Sequence, residues 1–257
     1  MLRPRIIPCL LVQGKGLVKT RGFADPKYVG DPINAVKVFN EKQVDELIVL
    51  DIEASARGTG PDYTLIRNLA AECRMPLCYG GGIQSLEQAE RVIAQGVEKV
   101  AISTSAIRDP ALVGTLANVI GRQSVVVVLD VRRSGAGYRV FADRGTRDTG
   151  LDAVAFAAEC ARLGAGEIVI NSVDNDGLMS GYDLEMVSAV KKGLNVPVTV
   201  LGGAGSLKDM AALFGRVGVV GAAAGSLFVF KGAYRAVLIS YPAPADKEQI
   251  FRESIQG

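Results

Sequence analysis

The chain has 257 residues, a formal net charge of +2 and 49% hydrophobic residues. That length suits one α/β barrel or two small domains, and the near-neutral charge gives no basis for a nucleic-acid or other polyanion partner. Histidine and tryptophan are both absent; this excludes an imidazole general base and a histidine-ligated metal, and the Asp, Glu and Cys positions show no metal-ligand spacing, so no metal or cofactor is expected.

The N-terminus lacks the roughly 7–15-residue apolar stretch of a signal peptide, and no run of about 18 apolar residues occurs anywhere, so no membrane span is expected. The first strand is read over Arg5–Val12, "RIIPCLLV", and runs into the glycine-containing loop "QGKGLVK". Helical periodicity follows in "DPINAVKVFNEKQV", with Asp31 as cap and Pro32 behind it. Strands are then expected over Glu46–Ile52 and Pro76–Tyr79, the latter ending in Gly80-Gly81-Gly82. "SLEQAERVIAQG" reads as a helix capped by Ser85, with Glu87 in its first turn and Gly96 at its stop. Further strands are read over Glu98–Ser103 and Ser124–Val131, the second carrying Asp130 into the loop "RRSGAGYRV". The helix "DAVAFAAECARLGAG" stops at Gly164 and precedes a strand over Glu167–Ser172. Pro197–Leu201 leads into Gly202-Gly203. Then come the Ser206-capped helix "SLKDMAALFGRVG", expected to stop at Gly215, and a last strand over Gly218–Ala223.

Eight strand–helix alternations predict a closed parallel (β/α)8 TIM barrel. An open doubly wound sheet is the alternative, but its G-x-G-x-x-G turn after the first strand is missing. No linker or compositional break interrupts residues 1–257, so one domain is expected. The halves repeat: "YGGGIQSLEQAERVIAQGVEKVAISTSAI" parallels "LGGAGSLKDMAALFGRVGVVGAAAGSLF", and "DELIVLDIEAS" parallels "GEIVINSVDNDG". "IIPCLLVQGKGLVK" likewise parallels "VVVVLDVRRSGAGYRV", setting Leu11 opposite Asp130. Cys9, Cys73, Cys78 and Cys160 are scattered and read as reduced thiols of a cytoplasmic protein.

Barrel chemistry sits where the strands end. There the repeat places two glycine- and hydroxyl-rich segments, one with Gly82, Ser103 and Thr104, the other with Gly203 and Ser226, with Asp176-Gly177 beside it. Glycines let backbone N–H groups approach an anion, and helix starts add positive dipole ends. Two such cradles across one mouth imply a ligand phosphorylated at both ends; glycines that merely turn corners are the alternative. Strand alternation turns one parity inward. That parity brings Arg5, Glu46, Lys99 and Glu167 to the N-terminal end of the bore, uncharged residues above them, and Asp130 to the mouth. Two cations and two carboxylates there form either a salt-bridged plug or a gate to a path for neutral ammonia. The same parity turns Asp51 away from the bore, as a loop brace, and leaves Glu53 open.

In order, "RIIPCL", "DELIVLDI", "GGGI", "VVVVLD", "GAGEI", "DNDGLMSGYD" and "GGAGSL" resemble the cyclase subunit of imidazole glycerol phosphate synthase, the HisF family, over essentially the whole chain. The resemblance implies a glutaminase (HisH-like) subunit docked at the barrel bottom. Ammonia would pass a gate of Arg5, Glu46, Lys99 and Glu167 to a bis-phosphorylated, nucleotide-derived substrate at the mouth. Phosphate sites then map onto Gly82, Ser103 and Thr104, and onto Asp176, Gly177, Gly203 and Ser226, with Lys19 also matching; Ser103 departs from the family's usual asparagine. The family uses two mouth aspartates as general acid and base. Asp130 is one; the other position holds Leu11, and no Asp or Glu lies between Met1 and Ala24 to replace it.

The stretches "PCLLV" and "AAAGSLFVFKGAYRAVLISYP" further resemble a divergent branch linked to surface-polysaccharide biosynthesis. There, glutaminase and barrel supply ammonia to a separate amidotransferase that makes an acetamidino sugar. Three readings follow. The chain is an ammonia-delivering subunit of a glutamine amidotransferase complex, or a working cyclase (a lyase of histidine biosynthesis) relying on Asp130, or a scaffold that only activates its glutaminase.

Overall fold

A computed structural model describes residues 3–232 and 234–256, except the side chains of Ile255 and Gln256. The first half of the chain runs β1 (Arg5–Gln13), β2 (Gly16–Arg21), β3 (Ala24–Gly30), α1 (Pro32–Glu41), β4 (Leu47–Asp51), α2 (Ala54–Arg57), α3 (Tyr63–Glu72), β5 (Leu77–Gly80), α4 (Leu86–Ile93), β6 (Lys99–Ile102), α5 (Thr104–Arg108) and α6 (Ala111–Ile120). The second runs β7 (Val125–Ser134), β8 (Gly137–Ala142), β9 (Arg147–Asp152), α7 (Ala153–Leu163), β10 (Glu167–Ser172), α8 (Leu184–Lys191), β11 (Val198–Leu201), α9 (Leu207–Val217), β12 (Gly221–Ala224), α10 (Ser226–Val229), β13 (Phe230–Lys231), β14 (Ala236–Val237) and α11 (Pro244–Gln256).

The parallel ladder β1–β4–β5–β6–β7–β10–β11–β12 returns to β1, closing the expected eight-stranded barrel with helices between the strands. Alternation along β1 explains the two cores. Ile6, Leu10 and Val12 face the helices and join a large outer cluster, while Ile7 and Cys9 face the bore and join a separate inner one. The expected caps form: Asp31 accepts from Asn34 N, Ser85 from Gln88 N, and Ser206 makes a capping box with Asp209.

Two readings of the sequence need correction. Gly215 lies inside α9, facing the backbone of Ser254 on α11, where a small residue lets two helices approach. The helix stops instead at Gly218 (φ 74°), so β12 begins three residues later than expected. The glycine-containing stretches after β1 and β7 are not loops but antiparallel hairpins, β2–β3 standing on β1 and β8–β9 on β7. Lys19 therefore belongs to a strand. These ribbons rise above the barrel and β3 is largely exposed, so they lack the apolar alternation that marks a half-buried strand. Among the described residues, no helix is long and apolar enough to cross a membrane, and no three His, Cys, Asp or Glu side chains gather as a metal-binding group.

Candidate functional site

The C-terminal ends of the strands enclose a cavity of about 600 Å³ whose walls include all nine residues expected at the mouth: Lys19, Gly82, Ser103, Thr104, Asp130, Asp176, Gly177, Gly203 and Ser226. Parallel β-barrel topology produces this convergence, because every strand ends at the same rim.

Asp130 stands on β7 at the cavity wall, where Asn171 on β10 donates to its Oδ1 at 2.9 Å. Burial drives its carboxyl up to about 7, against the pull of the Asn171 hydrogen bond and with a further push from Asp176. A carboxyl poised there can both take and give a proton near neutral pH. Its counterpart on β1 is Leu11, in register with Leu50 on β4; both line the cavity and pack on the inner core. Asp51, which strand parity turns away from the bore, does brace a loop: its Oδ1 accepts from Glu53 N and Ala54 N at 2.9 and 3.0 Å. It also lines the cavity, because β4 ends there, and burial raises its pKa.

At the two cradles, α5 starts after Ser103 and α10 after Gly225, and neither start has a side-chain cap, unlike α1, α3, α4, α7, α8 and α9. Thr104 and Ser226, equivalent in the repeat, thus open helices whose first N–H groups have no partner from a capping side chain. Asp176 and Gly177 line the cavity for a reason the sequence reading missed. The Asp176 carboxylate accepts from Thr20 Oγ1 at 2.6 Å and Phe23 N at 3.0 Å, latching the β2–β3 hairpin. A Cβ at Gly177 would lie 2.0 Å from the Thr20 carbonyl oxygen, so the same hairpin requires glycine there. Gly203 answers to Gly181 in the same way, with 2.1 Å to its carbonyl oxygen. Lys19 is buried; its Nζ donates to the Cys9 carbonyl at 2.6 Å and packs against Gly225 of the second cradle. Burial lowers the Lys19 pKa, opposed by Cys9 and Asp176.

At the opposite end of the bore, Arg5, Glu46, Lys99 and Glu167 meet as a closed ring. Arg5 donates to Glu46, and to Glu167 Oε1 at 2.7 Å; Lys99 Nζ reaches the same two carboxylates at 2.6 and 2.9 Å. Thr199, a member the sequence reading did not include, donates to Glu167 Oε1 at 2.5 Å. It sits two residues before the inward Leu201 on β11, so parity alone places it in the bore. Burial pushes the Glu167 carboxyl up, but Arg5 and Lys99 together outweigh it and hold it at about 2. Lys99 shows the complement: burial pulls it down, the two glutamates win, and its pKa is raised. Between ring and mouth, the bore is filled by uncharged side chains, among them Ile7, Cys9, Ile48, Ala101, Val126 and Val169.

A family model described as histidine biosynthesis protein matches residues 5–235. The chain is 55% identical over 251 residues to a protein of Vibrio vulnificus (strain YJ016), provisionally named imidazole glycerol phosphate synthase subunit hisF3, covering 97% of this chain and 96% of that one. A Pseudomonas aeruginosa protein provisionally named subunit hisF2 is 51% identical, with 94% and 97% covered. The imidazole glycerol phosphate synthase subunit HisF of Hyphomonas neptunium is 42% identical over 248 residues, covering 95% and 98%. A closed barrel with two repeat-related cradles, matched almost end to end by these proteins, belongs to the histidine biosynthesis protein family, among the HisF subunits of imidazole glycerol phosphate synthase.

Proposed function

We propose that this chain is the ammonia-receiving subunit of a glutamine amidotransferase complex. A glutaminase subunit docks at the Arg5 end, ammonia travels up the bore, and it emerges beside a phosphorylated ligand held by the two cradles. One observation carries the reading: a charged ring at one end of the barrel is joined to the cavity at the other by a lining without charge. Neutral ammonia passes such a lining, whereas an ammonium ion loses its hydration with nothing in return. The ring admits ammonia when a cation swings aside. Leu11 argues that the ammonia is delivered to a separate sugar amidotransferase rather than used to close an imidazole ring, because leucine transfers no proton. On this reading the chain serves acetamidino-sugar, surface-polysaccharide biosynthesis.

The test compares glutamine-driven with ammonium-driven transfer in the assembled complex, using wild type and Ala223→Leu, which fills the buried bore. The expected result is loss of glutamine-driven transfer alone, with glutaminase stimulation retained. Equal retention of both would rule out the bore as the route. A second reading, a working cyclase, is favoured by the poise of Asp130 near 7 and the presence of both cradles. Cyclase turnover with excess ammonium at high pH within about tenfold of a Leu11→Asp variant would select it, since a general acid or base typically contributes about 10²–10⁴-fold. Stimulation of the glutaminase that no ring variant alters would select the scaffold.

A further inference from the structure

We propose that Arg235 is a phosphate-binding residue of the second cradle and makes that cradle selective for a phosphomonoester dianion. The inference rests on the reading of the cavity as a phosphate site and goes beyond it by naming a further group at one of its ends. Arg235 lies on the β13–β14 hairpin, which is tied back onto α10 by Leu238 N to Val229 O and Ser240 N to Phe228 O, both 2.9 Å. It adopts the left-handed conformation (φ 50°), which residues other than glycine take up at a cost, and its N–H closes the turn on Gly232 O at 3.0 Å. The turn sends the side chain back to Gly177 and Ser226, which line the cavity. There the guanidinium lies 4.7 Å from the Phe230 ring centre and donates to the Gly177 carbonyl (3.3 and 3.4 Å) and to Ser226 Oγ (3.4 Å).

These contacts hold the guanidinium without using it up. The three hydrogen bonds are long, two share one acceptor, and a guanidinium has five donors. Among the described residues, neither Arg235 nor Lys19 forms an ion pair. Lys19 Nζ lies against Gly225, next to Ser226 in the chain, so two basic side chains without an ion pair meet the start of α10; burial disfavours the Lys19 charge, and an anion bound there would restore it. Two cations match the two negative charges of a phosphomonoester; a diester or a carboxylate neutralises only one. The planar fork on an aromatic face also suits bidentate phosphate binding. The first cradle is built differently: α5 leads through Asp109 and Pro110 straight into α6, and the arginine lining the cavity there, Arg108, belongs to α5 itself rather than to a returning hairpin.

The test is titration of the full chain with inorganic phosphate, read at the backbone amides of Ser226 and Thr104 by NMR, in wild type, Arg235→Ala and Arg235→Lys. Arg235→Ala is expected to weaken binding at Ser226 by about tenfold or more, the usual worth of a charge-assisted hydrogen bond, and to leave Thr104 unchanged. Arg235→Lys should restore part of the loss, since it keeps the charge and loses the fork. In wild type alone, binding at Ser226 should also fall as the pH drops and phosphate becomes a monoanion. Unchanged affinity at Ser226, or equal weakening at both amides, overturns the role of Arg235 while leaving the phosphate site standing. Absence of saturable shifts at both amides in wild type overturns the phosphate reading and this proposal together.

Discussion

The ends of β1 and β7 share one backbone and differ in chemistry. Val12 C=O accepts from Ile52 N at 3.0 Å, and Val131 C=O from Val173 N at 3.1 Å. One residue earlier, Leu11 sits in register with Leu50 and Asp130 with Asn171. Each strand continues into an antiparallel hairpin over the mouth. Ladder hydrogen bonds do not depend on the side chain between them, so one half can exchange a carboxylate for leucine while its backbone register stays. Carboxylate and partner become leucine facing leucine, which turns one side of the mouth from polar to apolar. At the bottom of the barrel the halves did not diverge this way: Glu46 and Glu167, equivalent in the repeat, both remain, and both cations come from the first half. The two halves thus match in their ring carboxylates and differ at the mouth, a difference that the proposed delivery of ammonia without ring closure accounts for.

The largest expected effect breaks this contrast directly. Leu11→Asp, which sets a carboxylate at the position equivalent to Asp130, should raise ammonium-driven cyclase turnover by about 10²–10⁴-fold; a rise below tenfold would show that leucine is not what separates the two halves. Next, Glu167→Gln leaves two cations sharing one carboxylate. Breaking a buried pair typically costs about 3–5 kcal/mol, and Glu46→Gln should cost a similar amount because the positions are twins; urea denaturation measures both. The Glu167 contribution also has a pH signature. Its folded pKa is about 2 against an ordinary 4.5, so its stabilisation is complete above 4.5 and is lost as pH falls toward 2. Wild type and Glu167→Gln should converge in stability over that window.

Asp130 has the opposite sign. Its folded pKa of about 7 exceeds the ordinary 3.8, so the folded state holds the proton more tightly and stability falls as pH rises from 3.8 to 7. Asp130→Asn should flatten that slope, measured as melting temperature against pH. The smallest effect concerns Asp130's neighbour: Asn171→Ala removes the 2.9 Å hydrogen bond to Asp130, which should raise its pKa by about one unit or less, the worth of a typical hydrogen bond. NMR titration of the Asp130 carboxyl carbon tests this, and a fall would show that Asn171 does not stabilise the carboxylate.

Legible in the sequence alone were the eight alternations, the inward parity of β1, β4, β6, β7 and β10, the meeting of Arg5, Glu46, Lys99 and Glu167, and the pairing of Leu11 with Asp130 across the internal repeat. These are local matters: a strand of period two has only two faces, and a closed parallel barrel brings all strand ends to one rim. Other features arise between segments distant in sequence. Asp176 and Gly177 serve the hairpin at Thr20, Asp51 lines the cavity besides bracing its loop, and Arg235 returns to Ser226. No periodicity encodes such contacts, because a polar side chain's partner is set by whatever the closed barrel brings within about 3 Å of it, not by its neighbours in the chain.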